Sequence, residues 1–289
     1  LLKATRQSLN SRIRNFSTAI NRRHLEDEGD WSYAGEWWHA EQSSCRTVFR
    51  EISHCGNGVV SVLAHPSSQP GRLERELAEK WLQHKFRVTG CEWRTLHFNE
   101  YTRQSTVKVL VAHREEEPSS ILLQQQPHCL AVPYVKSMIS TGLATLSASS
   151  CDVFKNAVQG KQSINALCIG HGGGSIPLFL TMKIRGAIVH TVELDPTVIA
   201  ASIKAMGFPA FSLISPSGDR VHPKPDPIDH LLWKGAHDRL LLFNSDAEKF
   251  ILETSNVYDI ILIDAYDGDD VFPHKLWRPD EPFMKALGN

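Results

Sequence analysis

Charge of one sign is what this sequence most lacks. Its 31 lysines and arginines stand against 32 acids, a formal net charge of −1 over 289 residues. A nucleic-acid surface needs a basic excess, so no electrostatic footprint for DNA or RNA is present. Long apolar runs are missing too, none approaching the ~18 residues of a membrane span. The six cysteines (Cys45, Cys55, Cys91, Cys129, Cys151 and Cys168) form no C-x-x-C and no paired spacing. That argues against a zinc site and against a disulfide framework, and the thiols read as reduced and intracellular. The 14 histidines make no H-x-x-x-H or H-E-x-x-H pair, so no metal is implied. What is left, 42% of it hydrophobic, suits a soluble globular chain with one large or two smaller cores.

The most informative stretch is Ile164 to Pro196, INALCIGHGGGSIPLFLTMKIRGAIVHTVELDP. Ala166-Leu167-Cys168-Ile169 is a short apolar run closed by glycine, which reads as a buried strand. Gly170-His171-Gly172-Gly173-Gly174 is too rich in glycine for a strand or a helix interior, and suits a backbone that must come close to a ligand. Ser175 to Met182 resumes as an apolar helix, so the loop turns a strand-to-helix corner where helix amides face whatever binds. A second strand, Ala187 to Val192, delivers Glu193 about 20 residues past the first glycine, where an acid grips ribose hydroxyls in β-α-β nucleoside sites.

Glycine spacing narrows the ligand. The dinucleotide pattern G-x-G-x-x-G/A would need its third small residue at Ser175, and fails there. No Walker lysine follows, which excludes a P-loop. The G-x-G-x-G of Gly170, Gly172 and Gly174, with Gly173 between, suits an adenosine with a small charged tail. A turn required only for tight packing is the alternative.

ALCIGHGGGSIPLFL followed by VHTVELDPTVIAASIKAMGF resembles the S-adenosylmethionine-binding core of spermidine-synthase-like class I methyltransferases, nearest to the elongation factor 1-alpha methyltransferase family and its plant relatives. The resemblance covers roughly residues 130 to 289, and more loosely the β-rich segment before them. It implies an α/β fold, a Rossmann-like sheet behind a small β-rich domain, with S-adenosyl-L-methionine as cofactor. Gly170, Gly172, Gly173, Gly174 and Glu193 would hold that cofactor. The implied partner is a protein or small-amine methyl acceptor, with neither nucleic acid nor membrane, and a homodimer is the implied assembly.

Taken in order, the chain divides into a basic segment (1–30), a small β-rich domain (31–114), a linker (115–127) and the binding domain (128–289). The first two dozen residues carry Lys3, Arg6, Arg12, Arg14, Arg22 and Arg23 with no acid, and place Leu9, Ile13, Phe16 and Ile20 on one stripe. That is transit-peptide composition, so a mitochondrial location is expected, with a cytoplasmic or plastid one as alternative. Clustered Trp31, Trp37 and Trp38 read as core or as a substrate mouth. Hairpins are expected at Thr47–Phe49 with Val59–Leu63, and at Glu92–Phe98 with Ser105–Ala112. A helix is expected over Arg72–Lys85. Glu115–Pro127 reads as the linker, and Val132–Leu146 as a helix leading into the sheet.

Tyr134 falls where the resembling polyamine synthases carry a substrate-covering tyrosine, but Val135 and Lys136 replace their glutamine and acid. Pro196 to Met206 reads as a helix closed by Gly207. Ser215–Lys234 is a long connection, read as a lid or partner loop. A third strand, Arg239–Phe243, precedes Asp246-Ala247. The resemblance places Asp246 and Ala247 against adenine, and an N-cap is the simpler reading of Asp246. The run Tyr258–Ile263 reads as a covered parallel strand delivering Asp264 to the carboxyl edge. Asp264, with Asp267 beyond it, is the candidate catalytic acid. The following D-A-Y-D-G-D-D departs from the D-S-S-D-P-x-G-P of polyamine synthases, which favours methyl over aminopropyl transfer. The resemblance also implies three strands beyond Asn289. Without them the fourth strand would be an exposed apolar edge, expected of a fragment or of a chain that pairs with a partner. A non-catalytic binding module is therefore the third reading.

Overall fold

The computed structural model describes residues 45–66, 81, 85–99, 102–222, 227–266, 273–276 and 278–287. The basic segment 1–30, Trp31, Trp37 and Trp38, nearly all of the helix expected over 72–85, and Asp267 lie outside the described residues.

An antiparallel sheet comes first: β1 (Arg46–Ile52), β2 (Val59–Pro66), β3 (Phe86–Phe98), β4 (Thr102–Arg114) and β5 (Glu117–Gln125), paired in that order. Both expected hairpins are present, with Glu51 facing Val60 and Leu96 facing Ser105. The stretch read as a linker is not one, because it contains β5. Val111 faces Leu123 and Ala112 faces Leu122, so the apolar Ile121-Leu122-Leu123 run completes the sheet. Leu123 packs toward one core and Leu122 toward another around Trp81 and Phe86. Pro118 suggested a break, but an edge strand tolerates proline, and β5 is an edge.

After β5 come α1 (Pro133–Ser149), α2 (Cys151–Gln159), β6 (Ile164–Ile169), α3 (Ser175–Lys183), β7 (Ala187–Glu193) and α4 (Pro196–Met206). Then follow β8 (Leu213–Ile214), α5 (Pro227–Leu232), β9 (Leu240–Asn244), α6 (Ala247–Glu253), β10 (Ile260–Ile263) and α7 (Pro282–Leu287). The strands form a wholly parallel sheet in the order β10-β6-β7-β9-β8. Alternate residues of β6 serve opposite faces, Ala166 and Cys168 in one core and Leu167 and Ile169 in the other. This two-sided burial is why the strand reads as a continuous apolar run.

The chain builds outward from β6 through β7 to β9, then returns to place β10 on the other side. Such a reversal opens a crevice at the carboxyl ends of the strands. The long connection after α4 is anchored away from that crevice. Its Trp233 and Ala236 are buried in the main core, and β8, which the sequence did not reveal, pairs with β9.

Helix α4 joins the two sheets. Its ends follow local chemistry: Asp195 accepts from Thr197 N at 2.8 Å, Pro196 opens the first turn, and Gly207 closes it at φ 69°. Its Val198, Ala201, Ala205 and Met206 share a core with Phe49, Val60, Val62, Leu96, Phe98, Val107 and Val109 of the antiparallel sheet. Leu96 is fully buried there. Leu96→Ala should cost about 3 kcal/mol and lower the urea midpoint of one transition common to both sheets. Two separated transitions, only one of them shifted, would show that the sheets do not share a folding unit.

Candidate functional site

The crevice is a cavity of about 1050 Å³ counted to its open mouth. Gly170 and Gly172, Glu193, Asp246 and Ala247, Asp264 and Tyr134 all line it. Four consecutive strand ends of the parallel sheet and the first turn of α1 therefore converge as the sequence predicts. Gly173 and Gly174 do not line it. A Cβ on Gly173 would meet Ser105 Oγ at 2.7 Å and Met206 Cε at 2.8 Å, and one on Gly174 would meet Phe208 at 2.4 Å. These two glycines are needed for packing against β4 and the end of α4, a correction to their expected cofactor role.

Gly170 serves both purposes. At φ 87° its Cβ would lie 2.0 Å from the Asp264 carbonyl oxygen, so β6 and β10 approach through bare backbone. Asp264 N donates to Ile169 O at 2.8 Å, fixing that contact.

Glu193 is held by amides. Its Oε2 accepts from His171 N at 3.0 Å and its Oε1 from Asp195 N at 2.9 Å, and the Gly172 amide bonds it as well. Burial pushes this carboxyl up, opposed by those three amides. A carboxylate offers about four acceptor sites, so room remains for a ligand hydroxyl. His171 keeps the loop against α4. The Ser202 hydroxyl donates to Ile199 O at 2.9 Å, so it must accept from His171 Nε2–H at 2.8 Å. Burial drives the imidazole down to about 3, and it stays neutral.

Asp246 caps α6 through Oδ1, which accepts from Glu248 N at 2.9 Å and Lys249 N at 3.1 Å. Its Oδ2 pairs with Lys275 Nζ. Burial raises the Asp246 carboxyl, but the Lys275 pair and the two amides outweigh it, and the group lies below its ordinary value. Capping therefore uses one side-chain oxygen, and the other already has a cation.

The tip of β10 holds Asp264, whose Oδ2 accepts from Tyr134 O–H at 3.2 Å. Burial raises this carboxyl, and the Tyr134 bond opposes the rise only in part. Asn57, Phe98, Gln104, Ser105 and Lys275 also line the cavity, and the sequence reading missed all five. The first four come from the antiparallel sheet, where only tertiary docking brings them to this crevice. The Gln104 side-chain amide nitrogen is buried without a partner. Among the described residues no group of three potential ligands could hold a metal ion.

No family model and no curated protein matches the chain. Among solved structures, human methyltransferase-like protein 13 in complex with SAH is similar at TM-score 0.36 and 21% identity, covering 54% of this chain and 59% of that one. A probable spermidine synthase from Corynebacterium glutamicum gives TM-score 0.36 and 16% identity, covering 65% and 53%. A spermidine synthase in complex with the transition-state analogue AdoDATO gives 0.34 and 13%, covering 70% and 53%. The chain thus spans 53% to 59% of the length of these proteins. At this level of likeness, the strand order and the crevice carry the description.

The elevated Asp264 carboxyl has a measurable consequence. The folded protein binds this proton more tightly than the unfolded chain, so the group favours folding at low pH. That contribution is lost as pH rises from the ordinary aspartate range through the elevated folded value. Asp264→Asn, permanently neutral, should melt above the native protein at about pH 7, with the gap closing toward about pH 4. Calorimetry at both pH values checks this, and a variant that melts lower at pH 7 contradicts it.

Proposed function

We propose that the chain is an S-adenosyl-L-methionine-dependent methyltransferase that N-methylates a protein amine, a lysine or an N-terminus. One observation carries the reading: the glycine corner, Glu193, Asp246 and Asp264 line a single cavity at the sheet reversal. The cavity has groups for each part of such a ligand. Glu193 retains acceptor capacity for a ribose hydroxyl, and Asp246 with Ala247 stands at the adjacent strand end for an adenine edge. The first turn of α3 has no side-chain cap, and its amides, with the unpartnered Gln104 donor, suit the carboxylate of a methionyl tail.

When bound, S-adenosylmethionine supplies a methyl group activated by its sulfonium. The chain's own residues must orient the accepting nitrogen and take its proton. Asp264 is placed for both, because a carboxylate binds an ammonium and accepts the proton that has to leave before the lone pair can attack. Its burial strengthens it as a base, and the Tyr134 bond fixes its direction. Alignment of the nitrogen supplies the larger share of the acceleration. The proposal extends to a mitochondrial location, on the basic N-terminal composition.

Calorimetric titration of the chain with S-adenosylmethionine and with its decarboxylated form tests the reading. Tighter binding of the carboxylated form, abolished by Glu193→Ala, is expected. Preference for the decarboxylated form would transfer the assignment to aminopropyl transfer, and binding of neither would refute both. Once an amine acceptor is in hand, Asp264→Asn should lower kcat by about 10²–10⁴ while leaving cofactor affinity nearly unchanged.

A further inference from the structure

The turn between β1 and β2 reaches into the parallel sheet. Gly56 and Gly58 are both left-handed, at φ 95° and 65°, with Asn57 between them. The turn is pinned at its base, where Ser53 N donates to Gly58 O at 2.8 Å and Asn99 N donates to Val59 O at 2.7 Å. This leaves the Asn57 side chain pointing away from its own sheet. Its Nδ2 donates to Asp195 Oδ2 at 2.8 Å, across 138 residues of sequence.

Asp195 is fully buried and Asn57 is 9% exposed. The carboxylate therefore faces protein groups only. Its Oδ1 takes the Thr197 amide that begins α4, and its own amide donates to Glu193 Oε1. The ionisable groups around it are Cys55 of the same turn and Glu193. No ion pair to Asp195 is present among the described residues. A buried anion held by so few donors is sensitive to the loss of any one of them.

We infer that Asn57 is a positioning residue for the cofactor, fixing Asp195 and through it the Glu193 carboxylate, so that the antiparallel sheet sets the geometry of the ribose grip. This rests on the proposed S-adenosylmethionine site. Asparagine suits the task because its amide nitrogen donates at any pH, and a neighbouring acid would repel Asp195. The path Asn57–Asp195–Glu193–His171 links a turn of the first sheet to the glycine corner through three hydrogen bonds, with the Asp195 residue itself joining the first to the second.

Two variants test it in the full chain, with S-adenosylmethionine as the titrant. Asn57→Ala should weaken binding about ten- to hundredfold at a pH where the native protein binds and the variant is folded by circular dichroism. Asn57→Asp sets two carboxyls at hydrogen-bond distance. They share a proton in acid and repel once it is lost. That variant should bind close to native at about pH 5 and lose about tenfold or more by about pH 8, a steeper dependence than the native protein has. A hairpin residue with a structural role alone would lower the melting temperature of both variants and leave their affinities at native values, which would overturn the inference. A native chain that does not bind S-adenosylmethionine overturns the functional reading and this inference together. A native chain that binds alongside variants with unchanged affinity overturns the inference alone.

Discussion

The packing of α4 into the antiparallel sheet is the contact on which the rest of the molecule depends. One face of that helix supplies Val198, Ala201, Ala205 and Met206 to the core of the first sheet, while Ile199 belongs to the core of the second. Its first turn begins at Asp195, two residues past Glu193, and its last ends at Gly207, whose carbonyl accepts from Gln125 N at 3.1 Å. An eleven-residue helix thus ties the antiparallel sheet to the parallel one, and among the described residues it makes the most extensive contact between them. The cavity lies between those two bodies, so its shape is set by hydrophobic burial remote from any ligand.

That arrangement accounts for which parts of the site were legible in the sequence. The glycine corner, Glu193 and the acid at the tip of β10 each sit at a junction between a buried apolar run and a polar break, and such junctions are local. Helix α4 was readable to the residue, since proline at its start and glycine at its end impose backbone angles whatever lies around them. The residues contributed by the first sheet had no such signal. Gln104 and Ser105 fall in an ordinary alternating strand, and Asn57 in an ordinary turn. Nothing in their neighbours says that a second sheet lies across from them.

The misreadings have physical causes as well. Glu115–Pro127 looked like a linker because its acids, prolines and three glutamines surround a short apolar centre. An edge strand accepts Pro118, and the glutamines are buried where the two sheets meet, Gln124 reaching Leu232 O at 3.5 Å. Gly173 and Gly174 looked like ligand-facing positions because a run of glycines suggests one common purpose. Each instead answers a separate crowding, one by Ser105 and Met206, the other by Phe208.

The slot at Gly170 separates two properties that active sites usually entangle. The spacing from the glycine corner to the tip of β10 is set by main chain against main chain, with the missing Cβ of Gly170 facing the Asp264 carbonyl. No side chain takes part in that contact. The side chain at position 264 is therefore free to change its chemistry without altering its address, and the Glu193 carboxylate, held by the amides of His171 and Asp195, is insulated from such changes. A scaffold of this kind keeps the position of one strand tip while leaving its side-chain chemistry open to change.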